Sequence, residues 1–321
     1  MDNTKAIEVK NLRRYFGSVK AVDGISFNVE QGEILSLLGP NGAGKTTIIS
    51  TICCLLHPTA GDVLVMGHST RKEPQLVKKE LGVIPQEIAL YDDLSGRENM
   101  IFWGRMYGMR GAALRSRVDE VLDLIGLTAN QKGRVGKYSG GMKRRLNIGV
   151  ALLHKPRLII MDEPTAGIDP QSRRNILDGV AQLNREGSSI LYTTHYMEEA
   201  QELSDRVAIM DHGKLIALGT HDELIRLVGE QTRIDLTVSA ESENVCKAWE
   251  KIPGVGKVLQ EKDETGKKDG RITVMVDDSN QILTHLFESA TLHASRITSV
   301  EIREPNLETV FLHLTGRALR D

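Results

Sequence analysis

The chain has 321 residues, enough for two domains, and its 40% hydrophobic and 26% charged residues are an ordinary globular balance. The formal net charge of −2 gives no sign of a nucleic-acid partner. No apolar run approaches the roughly 20 residues needed to cross a bilayer, and the N-terminus lacks the apolar core of a signal peptide. We therefore expect a cytoplasmic protein that reaches a membrane only through a partner.

The first elements in chain order are short strands. Residues 6–30 alternate apolar and polar side chains, which predicts half-buried antiparallel strands. Residues 34–38 are an apolar run typical of a buried strand, and residues 48–52 can continue as a helix. The loop between them is glycine-rich and consists of Gly39, Pro40, Asn41, Gly42, Ala43, Gly44, Lys45, Thr46 and Thr47.

The order strand, glycine-rich loop and helix predicts a phosphate-binding loop. Its glycines allow the backbone to approach a ligand, and successive N–H groups at a helix N-terminus favour negative charge. Lys45 adds a positive charge for the outer phosphates, and the Thr46 hydroxyl suits a Mg²⁺ ligand. A glycine-rich turn without function has no reason to carry Lys-Thr at this offset. The sequence therefore predicts binding of a nucleoside triphosphate.

Helical spacing follows two further predicted strands, at 62–67 and 81–85. Apolar residues recur at helical spacing between residues 94 and 153, and we assign about residues 87–155 to a helical subdomain. Residues 158–161 and 189–193 are again continuous apolar runs, typical of strands buried on both faces of a parallel sheet. Two more runs flank the hairpin signal Asp211, His212, Gly213. The predicted fold of residues 1–229 is an α/β mixed sheet with a helical insertion.

Residues 230–321 form a second predicted domain. Strands and helices alternate there in the order β-α-β-β-α-β, which fits a small α+β module of ferredoxin-like type. A last helix is predicted after Pro305, with the apolar residues Leu307, Val310, Phe311 and Leu314 along one face. No chemical constellation stands out in this domain.

Two carboxylates follow the buried run 158–161, at the edge where parallel sheets place their ligands. Asp162 suits Mg²⁺, and Glu163 could orient or deprotonate an attacking water. An acidic turn after a core strand is common in itself, but the upstream phosphate-binding loop favours the catalytic interpretation. His195 also follows a strand, and we expect it beside Glu163 and the γ-phosphate. Gln86 follows the strand at 81–85, so its amide could reach the metal or the water.

A second glycine-rich helix start lies at Tyr138, Ser139, Gly140, Gly141 and Met142. Ser139 suits the N-cap position, and the two glycines expose backbone N–H groups. In a monomer this segment is simply a capped helix. In a head-to-tail dimer the same N-terminus could cover the γ-phosphate held by the other subunit.

Taken in order, these motifs resemble the nucleotide-binding subunit of an ABC transporter, over about residues 5–228. The matching segments are 39–47, Gln86, 138–142, 158–164, 166–169 and His195. The resemblance implies a P-loop NTPase fold of ABC type, with a mixed parallel sheet, an antiparallel β subdomain and a helical subdomain. It implies hydrolysis of ATP with Mg²⁺, and it assigns catalytic roles to Glu163, His195 and Gln86. The implied metal ligands are Thr46, Gln86 and Asp162.

The resemblance also implies partners. Ser139, Gly140 and Gly141 would act on the partner's ATP, and Asp169 would belong to a loop at the dimer interface. Phe16, which precedes a glycine, would stack on adenine, whereas Tyr15 is expected to pack. The implied partners are a second nucleotide-binding subunit, identical or paralogous, and a separately encoded transmembrane permease. The chain would then lie at the inner face of the cell membrane through that permease.

Two features indicate one branch of the family. Tyr138 and Met142 replace the usual leucine and glutamine of the signature, and the chain ends in a distinctive stretch at 304–316. Both are similar to the daunorubicin-resistance and sodium-efflux branch, which implies export of a drug, antibiotic, lipid or ion. The C-terminal domain would then be accessory or regulatory.

Permease contact is expected around residues 88–109, where Leu90, Tyr91, Phe102 and Trp103 accumulate. These residues could equally be core of the helical subdomain, and for most of them the core role is the stronger expectation.

Other functions stay open at this point. An ABC-type ATPase of DNA repair would carry a long coiled coil, and the sequence has no such heptad run. One acting in translation would join two nucleotide-binding halves, whereas a single phosphate-binding loop is visible here. An import ATPase would more often carry an all-β C-terminal domain.

Overall fold

The computed structural model describes residues 5–227, 232–239, 242–262, 268–293, 295–303 and 306–315. The chain divides into two compact units, the first ending at His221 and the second beginning at Asp222. The predicted boundary between residues 229 and 230 lies outside the described residues, as do Glu304, Pro305 and Gly316. No helix within the described ranges is long and apolar enough to span a membrane.

An antiparallel sheet opens the first unit. Its strands are β1 (Lys5–Phe16), β2 (Val19–Glu30), β4 (Ala60–Val65) and β5 (His68–Ser69), in the order β2-β1-β4-β5. Along β1, Ile7 and Val9 are buried whereas Glu8 and Lys10 are not, because successive side chains point to opposite faces. The predicted half-buried antiparallel strands are confirmed.

A six-stranded sheet forms the centre of the first unit. It contains β3 (Ile34–Leu38), β6 (Leu81–Ile84), β7 (Leu158–Asp162), β8 (Ser189–Thr194), β9 (Arg206–Asp211) and β10 (Lys214–Gly219). The order is β10-β9-β3-β8-β7-β6, and every pair is parallel except the predicted hairpin β9–β10. All residues of β3, β7 and β8 are buried, as their continuous apolar runs predict. The carboxyl ends of these three strands therefore meet at one edge.

Helices surround this sheet. They are α1 (Lys45–Ile52), α2 (Pro74–Glu80), α3 (Gly96–Met106), α4 (Gly111–Leu124), α5 (Gly140–Leu152), α6 (Pro170–Arg185) and α7 (Met197–Leu203), with 3₁₀ turns at Thr128–Asn130 and Val135–Lys137. Helices α3, α4 and α5 follow β6 and precede β7 along the chain, where the helical subdomain is predicted. A capping box begins α3, because Ser95 and Glu98 each accept the other's backbone N–H. Helix α4 buries Val118, Val121 and Leu122 at the predicted helical spacing.

The second unit begins within α8 (His221–Arg226). Its elements are β11 (Thr232–Ser239), α9 (Ser242–Trp249), β12 (Val255–Lys262), β13 (Lys268–Val276), α10 (Ser279–Leu292), β14 (Arg296–Arg303) and α11 (Leu307–Thr315). From β11 to β14 the order is β-α-β-β-α-β, and the antiparallel sheet has the order β12-β13-β11-β14. Its core packs Ile234, Leu236 and Val274 against Trp249 and Leu286. This element order is that of a ferredoxin-like module.

Candidate active site

The loop between β3 and α1 has a backbone that requires glycine at several positions. Gly42 and Gly44 have φ angles of 82° and 105°, which residues with a side chain rarely adopt. A Cβ at Gly39 would lie 2.4 Å from the carbonyl oxygen of Met210, and a Cβ at Gly44 would lie 2.4 Å from that of Ala21. The loop is therefore pressed against β9 and β2 and leads directly into the N-terminus of α1, where an anion is favoured.

Lys45 is the first residue of α1 and is only 5% exposed. Its Nζ donates to the carbonyl oxygens of Gly39, at 2.6 Å, and Pro40, at 3.2 Å, and lies 3.2 Å from Oε1 of Glu163. A buried ammonium requires such acceptors, and they hold its charge at the centre of the site. The sequence predicts the phosphate-binding role of Lys45 but gives no indication of its ion pair with Glu163.

Glu163 lies between two basic side chains. Its Oε2 is 3.1 Å from Nδ1 of His195, while Oε1 contacts Lys45. The φ angle of Glu163 is 45°, a left-handed conformation that costs about 1–3 kcal/mol in a residue with a side chain. Its N–H donates to the carbonyl oxygen and to Oγ1 of Thr193, at 3.2 and 3.0 Å, which fixes this strained backbone. The structure thus brings Glu163 and His195 together, as expected, with Lys45 on the other side.

Three predicted metal ligands have oxygen atoms that remain available. Asp162 accepts a hydrogen bond of 2.7 Å from Thr193 through Oδ1, and its Oδ2 has no hydrogen-bond partner within the described residues. Thr46 and Gln86 are exposed, and their side chains likewise make no hydrogen bond in the described ranges. Hydroxyl, amide and carboxylate oxygens suit Mg²⁺, which takes few protein ligands besides water and phosphate. These residues therefore fit the metal that accompanies a nucleoside triphosphate.

Phe16 ends β1 and is 44% exposed. The guanidinium of Arg14 lies 4.4 Å from its ring centroid, which supports one face of the ring. Tyr15, by contrast, donates a hydrogen bond of 2.6 Å from its hydroxyl to Asp23. This bond raises the pKa of Tyr15 and holds its side chain along the sheet. The geometry therefore favours Phe16 over Tyr15 as a stacking surface.

The glycine-rich start of α5 lies beside the loop that carries Asp169. Ser139 is the N-cap of α5 and accepts the N–H of Met142 at 3.2 Å. A Cβ at Gly141 would lie 2.3 Å from Oγ of Ser172, whose N–H donates to Asp169 at 2.9 Å. That bond lowers the pKa of the Asp169 carboxyl, because it stabilises the ionised form. In the described residues no hydrogen bond joins this region to Lys45, Glu163 or His195.

The two departures from the usual signature are packing residues. Tyr138 is 9% exposed, and its hydroxyl donates to the carbonyl oxygen of Asn130 at 2.7 Å. Met142 is partly buried against the core cluster of the helical subdomain. Both side chains therefore fill the interior, and Ser139 and Gly140 remain exposed at the helix start.

Glu199 was not predicted from the sequence. It is 3% exposed on α7, and its carboxylate accepts hydrogen bonds from the hydroxyls of Thr165, Tyr192 and Thr194, at 2.6, 2.9 and 2.9 Å. Nε of Arg173 lies 3.7 Å away and provides the nearby positive charge. Because Thr194 immediately precedes His195, Glu199 supports the strand end from which the histidine projects. The only sequence signal was a run of hydroxyl-bearing residues, 192–194, in an otherwise apolar strand.

Comparison with known proteins agrees with this geometry. The family model described as ABC transporter matches residues 22–166. The linearmycin resistance ATP-binding protein LnrL of Bacillus subtilis is 45% identical, over 98% of this chain and 100% of the relative. The daunorubicin resistance ATP-binding protein DrrA3 of Streptomyces coeruleorubidus is 36% identical, over 97% and 96%. The Nod factor export ATP-binding protein I of a Rhizobium species is 35% identical, over 98% of both chains.

A solved structure extends the likeness to three dimensions. A dimeric ATP-binding cassette in a post-hydrolysis state, bound to ADP and Pi, superimposes with a TM-score of 0.61 at 25% identity. The match covers 67% of this chain and 98% of that chain. The predicted ABC-type P-loop NTPase fold and the resemblance to the daunorubicin-resistance proteins are therefore confirmed. This chain belongs to the ABC transporter family, as one of its ATP-binding subunits, and is an ATPase.

Proposed function

We propose that this chain pairs head to tail with a second nucleotide-binding subunit around two Mg²⁺–ATP molecules and powers a separately encoded permease that exports its substrate. The observation that carries the proposal is the carboxylate of Glu163, buried between Lys45 and His195 beside the phosphate-binding loop. The names of the relatives, which include antibiotic resistance and Nod factor export, support export as the direction. One complete set of motifs in the chain is sufficient for a homodimer, and a paralogous partner would use the same geometry.

Each residue of the site has a distinct task in this proposal. The loop N–H groups and Lys45 bind phosphate, and Thr46, Gln86 and Asp162 would hold Mg²⁺, which neutralises charge on the phosphates. Glu163 orients the attacking water and accepts its proton as the bond between the γ-phosphorus and the leaving oxygen breaks. His195 uses Nδ1 toward Glu163, so that Nε2 is available to the γ-phosphate.

The dimer interface would be made by the start of α5 and the Asp169 loop of both subunits. The N–H groups at Ser139, Gly140 and Gly141 would close over the partner's ATP, where the helix N-terminus favours an anion. Asp169, whose loop lies beside this helix start, would face the same interface. Phe16 would stack on the adenine of the subunit's own ATP.

The permease would bind the helical subdomain. Within residues 88–109, Ile88, Tyr91, Met106 and Tyr107 are exposed by 37, 47, 63 and 40%, and these side chains would contact the partner. Leu90 and Trp103 instead pack against the core cluster, so for them the alternative of a core role holds. The chain would then sit at the inner face of the membrane through this contact.

The other functions considered are not favoured. Helices α3 and α4 of the insertion have 11 and 14 residues, far shorter than a coiled coil of the DNA-repair kind. The relatives that align with nearly the whole chain are named for resistance and export, not for import or translation.

The glutamate variant Glu163→Gln tests the catalytic part of the proposal. It should retain ATP binding and slow steady-state hydrolysis by at least about 10²-fold, since a positioned general base contributes about 10²–10⁴. Glu198→Gln, on the exposed side of the same helix as Glu199, is the matched control and should hydrolyse ATP at the parental rate. Near-normal turnover in Glu163→Gln would remove Glu163 from this role.

Two further measurements test the phosphate-binding loop and the dimer. Lys45→Ala should weaken nucleotide binding itself, measured by titration calorimetry, because the buried ammonium is lost from the loop. Glu163→Gln saturated with Mg²⁺–ATP should elute as a dimer in size-exclusion chromatography. A strictly monomeric protein, both alone and with its permease present, would contradict the transport proposal.

A further inference from the structure

Two buried polar residues of α5 hold the backbone on either side of the Gln86 side chain. Arg144 is 3% exposed, and its Nη1 and Nη2 donate to the carbonyl oxygens of Pro85, at 2.9 Å, and Gln86, at 2.8 Å. Asn147 is also 3% exposed, and its Oδ1 accepts the N–H of Ala89 at 3.3 Å. Arg144 and Asn147 are three residues apart and so lie on one face of the helix. We call this pair the α5 clamp.

Packing alone gives a poor account of the α5 clamp. No carboxylate within the described residues pairs with Arg144, and its Nε has no hydrogen-bond partner there, nor has Nδ2 of Asn147. Burial lowers the pKa of Arg144, which reflects the cost of removing its charge from water. Apolar residues of similar volume often replace buried charges without loss of stability. A guanidinium is instead suited to grip two carbonyl oxygens at once, because its donors form a rigid planar fork.

The helix that carries the α5 clamp also begins at Ser139, Gly140 and Gly141, which we call the Ser139 turn. Arg144 follows Ser139 by five residues, which is about 7.5 Å along a helix that rises 1.5 Å per residue. No loop interrupts α5 between Gly140 and Leu152. One uninterrupted helix therefore connects the backbone at Gln86, through Arg144, to the Ser139 turn.

We infer that the α5 clamp couples the two ATP sites of the dimer, because it fastens the Gln86 segment (residues 85–89) to the Ser139 turn. The inference rests on the proposed function, in which Gln86 serves the subunit's own ATP and the Ser139 turn serves the partner's ATP. The clamp therefore connects one site with the other inside each subunit. Arg144 and Asn147 act as positioning residues, since neither is placed against nucleotide.

Arg145 provides a matched control next to Arg144. Its Nη1 also donates to two carbonyl oxygens, those of Ile125 at 3.0 Å and Gly126 at 3.4 Å. These belong to the end of α4 rather than to the Gln86 segment. A purely structural role for the arginines on α5 that donate to carbonyl oxygens would make Arg144→Gln and Arg145→Gln behave alike.

The test uses mixed dimers in which one site alone hydrolyses ATP. A limiting amount of active subunit is combined, before ATP is added, with a large excess of Glu163→Gln subunit, so that nearly every active subunit pairs with an impaired one. Arg144→Gln is then placed either in the active subunit or in the impaired subunit. In the first arrangement the disturbed Gln86 segment belongs to the working site. In the second arrangement the disturbed Gln86 segment belongs to the impaired site. The working site is then affected only through the Ser139 turn that covers it.

We expect both arrangements to hydrolyse ATP about tenfold more slowly than the same mixture without the change, because small misplacements of reacting groups cost up to about 10²-fold. Arg144→Lys should be slowed as well, since one ammonium cannot reproduce the fork. Arg145→Gln, placed in either subunit, should stay within about twofold of the reference. ATP binding without metal should be unchanged in all variants, and thermal unfolding of each variant checks that it is folded.

Each outcome decides the matter. Slowing in both arrangements supports the coupling. Slowing only when Arg144→Gln is in the active subunit would assign Arg144 to Gln86 alone and overturn the coupling, and no slowing in either would overturn the α5 clamp altogether. A reference mixture that hydrolyses no ATP, with parental subunits also inactive, would overturn the proposed function instead.

Discussion

Replacing Thr193 by valine would remove one hydroxyl that bonds both the carboxylate of Asp162 and the backbone N–H of Glu163. Thr193 is fully buried in β8; its Oγ1 donates to Asp162 at 2.7 Å and accepts the N–H of Glu163 at 3.0 Å. Valine has the same shape, so the substitution exchanges the hydroxyl for a methyl group and leaves little cavity. The change therefore isolates the hydrogen bonds from the packing.

The expected loss of stability follows from these two bonds. A hydrogen bond to a charged group contributes about 1.5–3 kcal/mol and a neutral one about 0.5–1.5 kcal/mol. The N–H of Glu163 keeps its second acceptor, the carbonyl oxygen of Thr193, at 3.2 Å. We therefore expect the free energy of unfolding of the first unit to fall by about 2–4 kcal/mol. Hydrolysis should slow about tenfold or more, because the Asp162 carboxylate and the backbone that carries Glu163 each lose a hydrogen bond that fixes them.

Urea unfolding followed by tryptophan fluorescence gives the stability of both units, since the two tryptophans are Trp103 in the first unit and Trp249 in the second. Thr273→Val is the matched control. It removes a hydroxyl that donates to Asp235 at 2.5 Å on the sheet of the second unit, so it should lower that unit's stability and leave hydrolysis unchanged. If Thr193→Val loses stability as expected but hydrolyses ATP at the parental rate, its hydroxyl does not orient the carboxylates. Unchanged stability would refute the hydrogen-bond estimate itself.

Three further predictions concern residues outside the chemistry. Burial lowers the pKa of His154, so below about pH 6.5 the unfolded chain binds a proton that the folded chain does not. The free energy of unfolding should therefore decrease as the pH is lowered through this range, and equilibrium unfolding at each pH should show a smaller decrease for His154→Gln. Burial raises the pKa of Cys53 to about 12, so iodoacetamide at pH 8 should leave it unmodified in native protein and modify it in urea, as measured by peptide mass spectrometry. Tyr138→Phe should lower stability by about 1 kcal/mol with unchanged hydrolysis, and a large loss of turnover would show that Tyr138 does more than pack.

The parts of the site that lie at the ends of buried strands could be predicted from the sequence. The glycine-rich loop, Glu163 and His195 each follow a buried strand, and parallel strands bring their carboxyl ends to one edge. This rule needs no knowledge of loop geometry, so it places Glu163 near His195 correctly. The same reasoning cannot predict the contact between Glu163 and Lys45, because that contact depends on the strained backbone of Glu163 and on the path of the loop.

Supporting residues were harder to predict because their partners are remote in sequence and their types are ordinary. Glu198 and Glu199 together are typical of an exposed, acidic start of a helix. On α7 they project about 100° apart, so one is exposed and the other is fully buried against three hydroxyls. Arg144 is buried and holds the Gln86 segment, whereas its neighbour Arg145 is half-buried and caps α4, and only the three-dimensional structure separates the two.

A layer of buried polar groups behind the site explains how residues so distant in the chain keep one geometry. Thr193 fixes the carboxylate of Asp162 and the backbone of Glu163 at the end of β7, while Glu199 accepts a hydrogen bond from the hydroxyl of Thr194, next to His195. Glu199 also accepts a hydrogen bond from the hydroxyl of Thr165, which lies four residues before Asp169. One carboxylate therefore joins the segment that carries His195 and the segment that leads to Asp169 at the proposed interface. If either segment shifted alone, a buried acceptor or hydroxyl would be left unpaired.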